Sequence, residues 1–113
     1  VITAVEKGSF LKRIFACRAG DLTPGSAMTV KAAVPPVALF LTEDGEYLAT
    51  QDECSHEEWS LGDDSDVDGC EVTCPLHMAR FDLRTGEPLS APATEPLRTY
   101  PVQIDGDGVY VIV

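Results

Sequence analysis

The chain has 113 residues, enough for one domain with a modest core and too few for a second independent one. Its composition is 44% hydrophobic and 24% charged, ordinary for a globular protein, and no stretch approaches the roughly 18 apolar residues of a membrane span. Nineteen acidic residues against eight basic ones give a net charge of −11, which excludes the basic footprint that nucleic acid or anionic lipid requires and calls for partners with basic patches.

In chain order, Val1 to Lys12 lacks the basic flank, apolar run and small-residue cleavage site of a secretory signal, so the expected location is cytoplasmic. Short β-prone runs separated by turn residues then dominate, and the pattern is all-β without helix-period stretches. Strands are expected at Leu11–Arg18, Met28–Ala33, Pro36–Thr42 and Tyr47–Thr50, with Thr23-Pro24-Gly25 and Glu43-Asp44-Gly45 as turns. The longest apolar candidate, Val34 to Leu41, is broken by two prolines. Gln51–Gly69 is polar and acidic with few strand formers, and reads as a long functional loop. Strands resume at Glu71–Cys74 and Arg80–Leu83, followed by the turn Arg84-Thr85-Gly86. Glu87–Pro101 carries Pro88, Pro92, Pro96 and Pro101, which implies a stiff, extended segment outside any central ladder. Leu97–Ile104 and Val109–Val113 close the chain as a hairpin around Asp105-Gly106-Asp107-Gly108.

The acid is unevenly placed: Glu43 to Glu71 contains twelve Asp or Glu and no Lys or Arg. The same region holds the chemistry. There are two histidines, and each sits beside a cysteine: Cys54-Ser55-His56 and, after seventeen intervening residues, Cys74-Pro75-Leu76-His77. Thiolate suits soft or borderline metals and imidazole suits iron or zinc, so a site of two cysteines and two histidines leaves zinc and an iron–sulfur cluster as contenders. Zinc fingers usually pair like ligands, two cysteines from a knuckle and two histidines from a helix, whereas here each loop offers one of each.

This arrangement resembles the Rieske family, in which two thiolates hold one iron and two imidazoles hold the other. The resemblance continues through Arg80-Phe81-Asp82-Leu83-Arg84-Thr85-Gly86, and Ala91-Pro92-Ala93-Thr94-Glu95-Pro96-Leu97 is similar to the proline loop that covers the cluster there. Ala38-Leu39-Phe40 and the turn before Tyr47 match the strand pair preceding the first ligand loop. The resemblance implies one [2Fe–2S] cluster per chain, held by Cys54, His56, Cys74 and His77. It also implies a small Rieske-like fold of antiparallel sheets with a β-sandwich base. Residues 1–113 would be one domain, with a cluster-binding subdomain at about 50–86 inserted in the base and a covering proline loop.

Departures from the high-potential branch narrow the expectation. The two extra cysteines that form a disulfide between the ligand loops there are replaced by Trp59 and Leu76, and the Ser and Tyr that donate hydrogen bonds to cluster sulfurs are replaced by Ala79 and Phe81. Fewer donors and many nearby carboxylates disfavour the more negative reduced state, so the implied potential lies near the low end of the family range, about −150 mV. These features look like the ferredoxin component of multicomponent aromatic-ring-hydroxylating dioxygenases, a one-electron carrier between an NADH-dependent flavin reductase and a terminal oxygenase. Neither enzyme fits the chain itself. Both histidines are already used, leaving none for a mononuclear iron site, and no Gly-rich nucleotide fingerprint is present. The alternatives are a Rieske-like small subunit of an assimilatory nitrite reductase and a zinc-stabilised interaction module.

Around the ligands, Trp59 is expected to pack under the first loop and Pro92 to stiffen the cover. The edges of His56 and His77 with Met78 would form an apolar tip, ringed by Glu57, Glu58 and Asp63, on which reductase and oxygenase dock in turn. Cys17 and Cys70 are expected to be buried thiols without a disulfide, and the protein is expected to be monomeric.

Overall fold

The computed structural model describes residues 12–55, 58–76, 78–91 and 94–113. Among them are ten strands and no helix: β1 (Arg13–Arg18), β2 (Ser26–Val30), β3 (Val37–Leu41), β4 (Tyr47–Gln51), β5 (Asp66–Asp68), β6 (Glu71–Cys74), β7 (Ala79–Asp82), β8 (Thr99–Tyr100), β9 (Val102–Asp105) and β10 (Gly108–Ile112). Every pairing is antiparallel, and the strands form three sheets in the orders β1-β10-β9, β2-β3-β4-β8 and β5-β6-β7.

Why Val37-Ala38-Leu39-Phe40-Leu41 is apolar without interruption follows from its place between two cores. Successive strand residues face opposite sides. Val37, Leu39 and Leu41 pack with Val109 and Val111 of β10 and with Cys17, whereas Ala38 and Phe40 pack with Val72, Ala79 and Phe81 of the third sheet. All five are buried, as a strand covered on both faces requires. The sheet containing β3 is therefore the middle layer, with the β1-β10-β9 sheet on one face and β5-β6-β7 on the other.

The expected all-β pattern is present, with four local differences. β2 starts at Ser26 and stops at Val30, where a turn closes with Ala33 N donating to Val30 O. The long run Leu97–Ile104 is two strands, because Pro101 has no N–H to give a ladder; β8 pairs with β4, and β9 pairs with β10. Gln51–Gly69 is not wholly loop: Gln51 ends β4, and Asp66–Asp68 pair with Glu71–Thr73. Finally, Glu87–Pro101 does join sheets at both ends, through a Phe81–Pro88 bridge beside β7 and through β8 beside β4. Leu11, the expected start of the first strand, lies outside the described residues.

Gly86 fixes where this last segment leaves the third sheet. Its φ is +81°, a region that disfavours side chains, and an added Cβ would lie 2.0 Å from the Leu97 carbonyl oxygen. The approach is that close because Leu97 N donates to Gly86 O at 2.7 Å and Gly86 N donates to Asp82 O at 2.7 Å. Gly86→Ala should therefore destabilise the protein by about 2 kcal/mol or more. A chemical denaturation midpoint equal to the parent's would show that the crossing can relax.

Candidate metal centre

After β4 the chain makes a short hairpin. Leu61 N donates to Asp52 O at 2.8 Å, Glu53 and Ser60 form a bridge, and Cys54 N donates to Trp59 O at 2.9 Å. A polar knot holds the base. The Asp52 carboxylate is buried, and its Oδ1 accepts from Gly62 N at 2.8 Å and lies 3.2 Å from Thr29 Oγ1 on β2. Thr29 Oγ1 also stands 3.1 Å from Ser60 Oγ and 2.8 Å from Asp63 Oδ1; its single proton serves one carboxylate at a time. Gly62 is required by the contact itself, since a Cβ would meet Thr29 Oγ1 at 2.4 Å and the Met28 backbone at 2.7 Å. The Trp59 indole N–H donates to Asp64 O at 2.7 Å, while its ring packs against the inner core.

The second hairpin is β6–β7, in which Val72 faces Phe81 and Cys74 faces Ala79. The two hairpins are alike in spacing: Cys74 ends β6 and faces Ala79 five residues on, and Cys54, just past the Glu53–Ser60 bridge, bonds Trp59 five residues on. Both thiols are buried, at 3% exposure for Cys54 and 0% for Cys74, in one apolar cluster with Ala79, Phe81, Leu83 and Leu97. Leu76 packs against this cluster from the second tip. Met78 leaves the tip with φ +58° and is 61% exposed, an apolar side chain held in solvent by an unfavourable backbone.

The segment after Gly86 covers this ground. Leu89 N donates to Arg80 O at 2.7 Å, Arg98 N to Gln51 Oε1 at 2.8 Å, and Ser55 Oγ, inside the first tip, to Glu95 O at 2.6 Å. The first tip is thus tied directly to the proline-rich cover.

Of the residues expected at the site, Cys54 and Cys74 come together, and Trp59, Leu76, Ala79 and Phe81 all border them. His56, His77, Glu57 and Pro92 lie outside the described residues. Glu58 is exposed and helps line an open groove of 510 Å³ beside the first hairpin, between Trp59, Tyr100 and Pro36. Asp63 is exposed but engaged with Thr29. Cys17 is buried, and burial followed by the charge of Asp21 pushes its thiol pKa up. Cys70, expected to be buried, is only half-buried at the β5–β6 turn; no disulfide joins the cysteines. Sequence reasoning missed the Asp52–Thr29–Ser60 knot, because Asp52 reads as one more member of an acid run.

The donor chemistry suits a thiolate-bound metal centre. Two buried thiols without a disulfide, in one apolar wall and each within three residues of a histidine in the sequence, are what a mixed sulfur–nitrogen site needs. Among the described residues no three Cys, His, Asp or Glu side chains converge, and the two cysteines are the ones brought together.

Comparison with known proteins agrees with this chemistry. The family described as the Rieske [2Fe-2S] domain matches residues 12–101. The biphenyl dioxygenase ferredoxin subunit of Pseudomonas sp. (strain KKS102) is 46% identical over 96 residues, covering 85% of this chain and 87% of the relative. A solved complex of reduced oxygenase and oxidised ferredoxin in carbazole 1,9a-dioxygenase contains a chain that superposes with a TM-score of 0.79 at 33% identity, covering 87% of this chain and 99% of that one. A putative nitrite reductase NADPH small subunit superposes with a TM-score of 0.76 at 26% identity, covering 90% and 99%.

The knot beneath the first hairpin has a direct test. Asp52→Ala leaves the buried Gly62 N–H without its acceptor and should cost about 1–3 kcal/mol, with Asp52→Asn costing less because an oxygen acceptor remains. Equal denaturation midpoints for Ala, Asn and parent would show that the hairpin stands without this brace.

Proposed function

The chain belongs to the Rieske [2Fe–2S] domain family and carries one such cluster, and on that premise we propose that it is a low-potential one-electron carrier. It takes electrons from an NADH-dependent flavin reductase and passes them to a terminal aromatic-ring-hydroxylating oxygenase. The ligands are Cys54, His56, Cys74 and His77. The observation that carries this reading is that two hairpins bring Cys54 and Cys74, each followed within three residues by a histidine in the sequence, into one buried apolar cluster. When bound, the cluster supplies reversible one-electron reduction, and replacing two thiolates by neutral imidazoles raises its potential above that of an all-cysteine cluster.

The chain's own residues set the conditions. Cys54 and Cys74 are withheld from water, so the sulfur end of the site lies in low dielectric, while the histidines on the tips provide the electron's path to a partner. Ala79 and Phe81 are fully buried beside Cys74 and bring no hydroxyl, which favours a low potential. Exposed Met78 supplies apolar surface next to His77, and Glu57, Glu58 and Asp63 add negative charge on the first hairpin. A small apolar tip inside an acidic field suits docking that is fast and short-lived. Resemblance to a nitrite reductase small subunit supports a second reading, in which the domain serves that enzyme; electron delivery to a purified oxygenase separates the two.

Native protein should contain two irons and two acid-labile sulfides per chain, and Cys74→Ala or His56→Ala should lose both. Zinc in their place would overturn the assignment. Voltammetry should give a potential near about −150 mV, and a value above about +100 mV would contradict the reading of Ala79 and Phe81.

Docking makes a separate expectation. Exposed charges are screened over about 8 Å at physiological salt, so the rate of electron transfer between purified components should fall as ionic strength rises. Replacing Glu57 and Glu58 by Gln should slow it at low salt only, with visible absorption unchanged. A rate flat from low to high salt would mean that the acid serves solubility and docking is apolar.

A further inference from the structure

Among the described residues, one buried side-chain polar atom on the segment that bridges to β7 has no hydrogen-bond partner. Ser90 Oγ is fully buried and makes no hydrogen bond to the described residues. A hydroxyl withdrawn from water without an acceptor is unfavourable, so such a group in a native fold calls for an explanation.

Its position supplies one. Phe81 and Pro88 form a bridge, with Asp82 N donating to Glu87 O at 2.9 Å and Leu89 N to Arg80 O at 2.7 Å. Carrying that register forward sets Leu89 opposite Arg80 and Ser90 opposite Ala79, which itself faces Cys74 across β6–β7. Burial follows the same alternation: Arg80 and Leu89 are exposed on the outer face, while Ala79, Phe81, Pro88 and Ser90 are buried or half-buried. Continued one pair past the bridge, this register puts Cys74, Ala79 and Ser90 in one row across the inner wall, with the hydroxyl missing at Ala79 supplied from the neighbouring segment.

We propose that Ser90 is a positioning and tuning residue whose hydroxyl donates a hydrogen bond to a sulfur of the bound cluster. This rests on the ligand assignment made above. No bond is made or broken when the electron arrives from the reductase or leaves to the oxygenase, and the proton stays on Ser90 Oγ. The bond is stronger in the more negative reduced state, so it raises the potential within the low range that Ala79 and Phe81 allow.

Cluster-loaded Ser90→Ala and Ser90→Gly should have lower potentials than the parent, by up to a tenfold change in the reduction equilibrium, about 59 mV for one electron. Ser90→Thr, which keeps a hydroxyl, should stay near the parent. Electron–nuclear double resonance of the reduced protein in water and deuterium oxide should lose one exchangeable proton coupling in Ser90→Ala and retain it in Ser90→Thr. The parent spectrum alone also bears on the proposal: only backbone-type exchangeable couplings there would overturn it even if the variants fail to load. So would a fully loaded Ser90→Ala or Ser90→Gly with the parent's potential. Iron and sulfide analysis of the parent keeps the two levels apart, because a missing cluster refutes the ligand reading, whereas an intact cluster with an unmoved potential refutes only the role of Ser90.

Discussion

Cys54 and Cys74 belong to two separate hairpins, yet both thiols lie in one apolar wall, and each short hairpin has too little burial of its own to hold them there. What holds them is the inner face of β6–β7, where Val72, Ala79 and Phe81 are buried against Ala38 and Phe40 of the middle sheet. Because β3 is packed on both sides, it transmits rigidity from the β1-β10-β9 layer to this wall. A displacement at Phe40 would disturb Leu39 and Leu41 in the opposite core, since close-packed interiors absorb little volume change. The first hairpin reaches the wall from outside the third sheet and depends on the Asp52 knot to β2 and on Ser55 bonded to the cover. Those two attachments fix its base and its tip.

The acid run has more than one role. Asp52 is absorbed into the knot, Asp63 faces Thr29, Glu46 pairs with Arg84 on the neighbouring turn, and Glu71 stands 3.8 Å from Arg80. Such exposed pairs contribute little to stability individually, but they place carboxylates on fixed backbone. Glu53 and Glu58 are exposed on the first hairpin itself. Exposed carboxylates on the first hairpin and exposed Met78 on the second thus stand on separate hairpins. If partners dock there as proposed, charge and apolar contact can be altered independently.

Most of the architecture was legible because turn residues and alternating apolar runs report directly on strand ends. β6 was read to the residue, and β3 to within one residue at each end. β5 was hidden: Asp66-Val67-Asp68 has a single apolar residue, and it is a strand because Val67 pairs with Val72 and packs on the wall, a long-range cause that local propensity does not carry. The two cysteines were legible from their spacing to histidine. The knot was not, since a buried carboxylate and a solvated one are the same letter until β2 is brought beside the hairpin. Prolines gave a mixed signal: Pro101 does interrupt a strand, but Pro88 sits in a bridge where its missing N–H is not needed, so a proline-rich segment joined a sheet edge after all.

Ser90 illustrates why reading a site position by position along a motif can miss a donor. The ligand motif fixes which residues lie near Cys74 along its own hairpin, and on that hairpin Ala79 and Phe81 offer nothing to a sulfur acceptor. The wall, however, has a third edge, contributed by a segment that follows the motif and meets β7 only after the chain has turned through Gly86. A hydroxyl can then reach the same row from the neighbouring edge, provided that the crossing at Leu97 holds this segment in register. The Gly86–Leu97 hydrogen bond thereby becomes a condition for tuning, because a shift of one residue would turn Ser90 outward and bring Leu89 into the wall.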